Sequence, residues 1–68
     1  MIHPLACVDP AAHIGENVEI GPFCNVQGNV EIGDGTRLIS NVVVMDGARI
    51  GRNCTIFPGA VIGAQPQD

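Results

Sequence analysis

Histidine, cysteine and the acidic residues are where chemistry would have to come from in this chain. There are two histidines, His3 and His13, and three cysteines, Cys7, Cys24 and Cys54. A histidine could act as a general base, and histidines with cysteines could hold zinc. The cysteines match no zinc spacing such as C-x₂-C, and three cannot all pair with one another. Small buried thiols in a reducing compartment are the simpler expectation. No Ser-His-Asp arrangement or carboxylate pair is placed for catalysis. Asp34 and Asp46 occupy equivalent turn positions, where Asp is favoured for local hydrogen bonding.

The elements that would position any site are bounded by size and charge. Sixty-eight residues allow one small domain, and a core that size is marginal alone. Seven acids against three arginines (Arg37, Arg49 and Arg52) give a net charge of −4. That balance argues against nucleic-acid binding and against an anionic membrane patch. The longest apolar run, Val42 to Met45, is far short of the ~20 residues a bilayer needs. No secretory signal is readable near the start, and the expected location is cytoplasmic.

A sixfold repeat organises everything else. Every sixth residue from Ile2 to Ile62 is Ile, Val or Leu. The residue four after each, from Ala6 to Ala60, is small or β-branched. Asn or Gly stands three after the aliphatic at Asn17, Asn29, Gly35, Asn41, Gly47, Asn53 and Gly59. The small residue and the next aliphatic are two apart, so on a strand both face one way. The Asn/Gly slot suits a left-handed turn. Short strands that keep one face inward and turn every six residues predict a parallel β-helix. Gly following the aliphatic at 15, 21, 33, 51 and 63 then reads as a turn and strand residue, not a dinucleotide fingerprint.

Three hexads per coil stack residues eighteen apart. Glu19 then lies over Arg37 and Glu31 over Arg49, which fixes the register. Counted from Ile2, that period gives about 3.7 coils. One wall, with hexads at 14, 32 and 50, is polar. The wall with hexads at 8, 26, 44 and 62 shows Val43, Met45 and Val61, and the adjoining wall shows Ile39 and Phe57. An apolar strip of that kind predicts a subunit contact. His3 and His13 fall on different walls, as outward polar residues.

The run of aliphatic-Gly-x-x-small-x resembles the hexapeptide repeat of the left-handed parallel β-helix acyltransferases. Left-handedness comes from this resemblance, since ordinary crossover rules favour the right hand. Ile20-Gly21-Pro22-Phe23-Cys24, Val30 to Thr36, Val42-Val43-Val44, Ile50-Gly51-Arg52-Asn53 and Gln67-Asp68 resemble the start of the acyl-ACP–UDP-N-acetylglucosamine O-acyltransferases. The resemblance covers residues 1–68, an N-terminal portion of a much longer family member.

The resemblance implies transfer of a 3-hydroxyacyl chain from acyl carrier protein to the 3-hydroxyl of the UDP-sugar, at the start of lipid A synthesis. It implies a homotrimer and no cofactor or metal. The family's catalytic histidine, its nucleotide-binding coils and its C-terminal helices lie beyond residue 68, so no catalytic residue is expected in this chain. Gln67 and Asp68 match a motif that contacts the acyl group and the glucosamine. A non-catalytic β-helix module and another hexapeptide-repeat transferase are the alternatives. A β-helical carbonic anhydrase lacks its third histidine here. An antifreeze helix would need a threonine array, and Thr36 and Thr55 are the only threonines.

Overall fold

The computed structural model describes residues 1–63. Ten two-residue strands follow one another at the hexad interval: β1 Cys7–Val8, β2 His13–Ile14, β3 Glu19–Ile20, β4 Asn25–Val26, β5 Glu31–Ile32, β6 Arg37–Leu38, β7 Val43–Val44, β8 Arg49–Ile50, β9 Thr55–Ile56 and β10 Val61–Ile62. They form three parallel sheets ordered β1-β4-β7-β10, β2-β5-β8 and β3-β6-β9, called here the first, second and third walls. Ile2 bridges to Ile20 and extends the third wall upward. The chain is a left-handed parallel β-helix. The usual right-handed preference arises when a twisted strand feeds a packed helix. Here the route back to each sheet runs through two more short strands and three corners.

The eighteen-residue register holds at every pairing, for example Glu19 with Arg37 and Val43 with Val61. Inter-coil amide bonds follow it, as in Asn25 N–H to Val42 O at 2.8 Å and Arg37 N–H to Cys54 O at 2.8 Å. Alternation does the rest. In each two-residue strand the first side chain faces out and the second faces in. Val18, Ile20, Val26, Val30, Ile32, Leu38, Val42 and Val44 are buried and form the core. Each such side chain contributes ~1.5–3 kcal/mol on burial.

Thr36 is the one buried polar residue among those described. Its hydroxyl donates to Gly51 O at 2.7 Å and accepts the Cys54 amide at 3.2 Å. A hydroxyl inside the coil is tolerated because both of its capacities are used.

The corners depart from the sequence expectations in three ways. Asn17, Gly35, Asn41, Gly47, Asn53 and Gly59 have left-handed backbones, but Asn29 does not. There the Asn29 amide donates to Asp46 Oδ1 at 3.0 Å, a bond to the next coil that holds the corner without a left-handed residue. Phe23 takes the left-handed conformation instead, at φ 63°. Asp34 and Asp46 do not make local turn bonds. Asp34 Oδ1 accepts the Glu16 amide at 2.9 Å from the coil before. Finally, Cys24 is buried but Cys54 is half-buried and Cys7 is exposed. Cys7 precedes inward Val8 on β1, so alternation turns it outward.

Candidate functional site

Ile39 follows β6 on the third wall, and Phe57 occupies the same column one coil on. Across the next corner Val43 and Val61 pair in register on β7 and β10. These four residues therefore converge on one edge of the prism. Phe57 and Val61 are 69% and 57% exposed, whereas Ile39 and Val43 are half-buried. Met45, also half-buried, lies beyond Val44 at the opposite edge of the first wall, beside Asp46. Two further apolar residues share the edge, and the sequence reading passed over them. Leu5 and Phe23 are each 60% exposed and fill the turn slot that Asn41 and Gly59 fill in later coils. Their shared eighteen-residue spacing was the signal available.

The faces away from this edge are polar. On the third wall Arg37 Nε lies 3.4 Å from Glu19 Oε1, and on the second Arg49 Nε lies 3.7 Å from Glu31 Oε1. Both pairs are more than half exposed, so each contributes at most ~1 kcal/mol. Arg49 is fixed further by its Nη1 donating to Asn29 O and Ala48 O, each at 2.9 Å. These contacts tie the arginine to the Asn29 corner of the coil before.

The two histidines lie on different walls. His3 lies on the third wall and its Nδ1 accepts the Leu5 amide at 3.0 Å. His13 is exposed on the second wall in the column of Glu31 and Arg49. Among the described residues no three His, Cys, Asp or Glu side chains converge. A shallow groove of about 620 Å³ runs down the third wall past Met1, His3, Glu19, Gly21, Arg37 and Ile39. Its floor is Ile20 and Leu38, residues already committed to the core. No helix among the described residues is long and apolar enough to cross a membrane. Gln67 and Asp68, the residues expected to meet substrate, lie outside the described residues.

Comparison with known proteins gives two kinds of likeness. A family model described as the GMPPB C-terminal domain matches residues 1–67. Curated protein sequences give no match. Among solved structures, LpxA from Bacteroides fragilis, a UDP-N-acetylglucosamine acyltransferase, is 57% identical with a TM-score of 0.97, over 100% of this chain and 27% of its own. LpxA from Acinetobacter baumannii is 48% identical with a TM-score of 0.94, over 98% of this chain and 26% of its own. The UDP-N-acetylglucosamine acyltransferase of Francisella novicida is 48% identical with a TM-score of 0.95, over 100% of this chain and 25% of its own. The chain therefore spans about a quarter of the length of these structures.

The two likenesses are compatible because a six-residue period fixes the coil whatever chemistry is built on it. Identity of up to 57% over the whole chain is what the acyltransferase structures add. The chain belongs to the family described as the GMPPB C-terminal domain, and within that β-helical framework it corresponds to the N-terminal portion of the UDP-N-acetylglucosamine acyltransferases.

Proposed function

We propose that these coils open an acyltransferase that moves a 3-hydroxyacyl chain from acyl carrier protein to the 3-hydroxyl of UDP-N-acetylglucosamine, beginning lipid A synthesis in the cytoplasm. The observation that carries the reading is the whole-chain likeness to the Bacteroides fragilis acyltransferase at 57% identity. In this reading residues 1–68 are one partial β-helix domain that supplies scaffold and subunit contact, and the general base comes from later coils. Gln67 and Asp68 contact the acyl group and the glucosamine. Ile39, Val43, Met45, Phe57 and Val61 lie in the contact of a homotrimer. Apolar side chains grouped on one edge support that assignment for Ile39, Val43, Phe57 and Val61 but not for Met45, which lies at the opposite edge of the first wall, and the charged pairs away from that edge support solvent there.

A second reading, a β-helix module without chemistry, draws on the matched family model, which is named for a C-terminal domain. A chimera separates the two. Residues 1–68 replace the matched portion of the Bacteroides fragilis enzyme, and acyl transfer to UDP-N-acetylglucosamine is followed by mass spectrometry. We expect the chimera to assemble and to keep transfer within about tenfold of the parent, a loss of ~1.4 kcal/mol in the barrier. Gln67→Ala with Asp68→Ala in the chimera is expected to lower transfer a further tenfold or more (~1.4 kcal/mol). A chimera that assembles as the parent does but transfers nothing would leave only the module reading.

A further inference from the structure

Two corners carry an aspartate followed by a glycine, Asp34-Gly35 and Asp46-Gly47. The fold selects the glycines, because both have left-handed backbones, at φ 75° and 94°. The same dipeptide has a chemistry of its own. A glycine nitrogen is unhindered, and one new bond to the preceding carboxyl carbon closes a five-membered ring. The nitrogen bonds to the aspartate Cγ, and the hydroxyl of the protonated carboxyl leaves with the amide proton as water. Water then opens the succinimide at the former backbone carbonyl, and the chain continues through the β-carboxyl as isoaspartate. One water leaves and one enters, so the mass is unchanged and the backbone gains one atom.

Both reacting groups of each pair are tied to a single residue of the coil before. Asp34 Oδ1 accepts the Glu16 amide at 2.9 Å, while Gly35 N–H donates to Glu16 O at 2.9 Å. Asp46 Oδ1 accepts the Asn29 amide at 3.0 Å, while Gly47 N–H donates to Asn29 O at 2.7 Å. Carboxyl and nitrogen are thus held to that coil and not to each other, so the ring closes only when the clasp opens. The two corners differ in what else holds them. Asp34 O accepts the Asn53 amide of the coil after at 2.9 Å, and a Cβ built on Gly35 would collide with Asn53 Oδ1. Gly35 is half-buried. Gly47 is exposed, and a Cβ there meets no described atom within 4 Å. Its corner is held from the coil before, by Asn29 and by Asp46 N–H donating to Gln27 Oε1 at 2.7 Å.

We propose that Asp46-Gly47 is a site of isoaspartate formation, gated by the stacking of its coil on the coil before. Asp34-Gly35, held from both sides, is the protected member of the pair. Local opening frees Asp46-Gly47 first. The added backbone atom then keeps the corner from restoring both bonds to Asn29 in register, so the change marks chains whose coils have parted.

The test incubates the 68-residue chain with and without urea and reads isoaspartate at each position by electron-transfer mass spectrometry of its peptides. In urea the two positions are expected to react at similar rates, since the dipeptide is the same. In the folded chain both are expected to slow by about tenfold or more, with Asp46 about threefold or more ahead of Asp34, in proportion to how often each clasp opens. Gln27→Ala removes the bond to the Asp46 amide and is expected to speed Asp46 alone. Hydrogen exchange in the unaltered chain, faster at the Gly47 amide than at Gly35, reads the same gate if that variant does not fold. No isoaspartate at Asp46 in urea overturns the site. Folded rates equal to those in urea overturn the gate. Asp34 reacting first, or Gly35 exchanging first, overturns the choice of Asp46. Equal acceleration of both positions by Gln27→Ala places the opening in whole-chain unfolding and overturns local gating.

Discussion

Gly21→Ala tests how tightly one coil rests on the next. A Cβ built on Gly21 falls 1.7 Å from Ile39 O and 2.8 Å from Ile39 C, both backbone atoms of the following coil. A carbon and a carbonyl oxygen normally approach to ~3.3 Å at closest. The coils must therefore part by about 1.5 Å at a place where their strands are ~4.8 Å apart. Such a shift breaks the bond from Gly21 N–H to Leu38 O, now 2.8 Å, and strains Ile39 N–H to Ile56 O, now 3.0 Å. Two disrupted backbone bonds at ~1–3 kcal/mol each put the loss at roughly 2–6 kcal/mol. That is much of the ~3–10 kcal/mol expected for a chain of this size.

Gly51 occupies the same hexad slot, yet a Cβ there meets no described atom within 4 Å. Gly51→Ala in the 68-residue chain is expected to be neutral, or to stabilise by ~0.4–1 kcal/mol through the unfolded state. Urea melts followed by far-ultraviolet circular dichroism, at one fixed protein concentration, read the difference. A loss below about 1 kcal/mol for Gly21→Ala refutes the stacking argument, given the two backbone bonds at risk. Equal losses at both glycines refute it too.

Ile32→Asp places an unpaired carboxylate at a position 2% exposed and is expected to abolish the cooperative melt, whereas Thr55→Asp, on the outward column, should stay within about half a kcal/mol of the parent. Thr36→Val removes the group that bonds Gly51 O and the Cys54 amide, and is expected to lower stability by ~1–3 kcal/mol in the same melts, with Thr36→Ser recovering most of it. With a thiol reagent under native conditions, Cys7 should react at once and Cys24 only on unfolding, and mass spectrometry of the folded chain should find no intramolecular disulfide.

The parts of this fold that were legible in the sequence are those set by period alone. Six-residue spacing separated inward Ile32 and Val44 from outward Glu31 and Val43, and the Glu19–Arg37 and Glu31–Arg49 spacings gave the coil its length. What period does not encode was missed. Phe23 was not expected in a left-handed turn because turn statistics favour Asn and Gly there. Asp34 and Asp46 were read as local turn residues, but coils stacked ~4.8 Å apart put the previous coil's amides within easier reach than their own. Thr36 was placed inward correctly, yet spacing does not say which backbone groups its hydroxyl meets. The role of Gln67 and Asp68 rests on resemblance, and the handedness was visible only through it.

Everything above depends on residues eighteen apart lying one over the other. Nuclear Overhauser spectroscopy on the isotopically labelled 68-residue chain measures this directly. The structure predicts backbone strand pairing of Glu19 with Arg37, Arg37 with Thr55, and Val43 with Val61, and no backbone strand pairing between residues six or twelve apart. Strand pairing in a register other than eighteen, or local contacts alone, would contradict the coil, and with it the apolar edge and the correspondence to the acyltransferase.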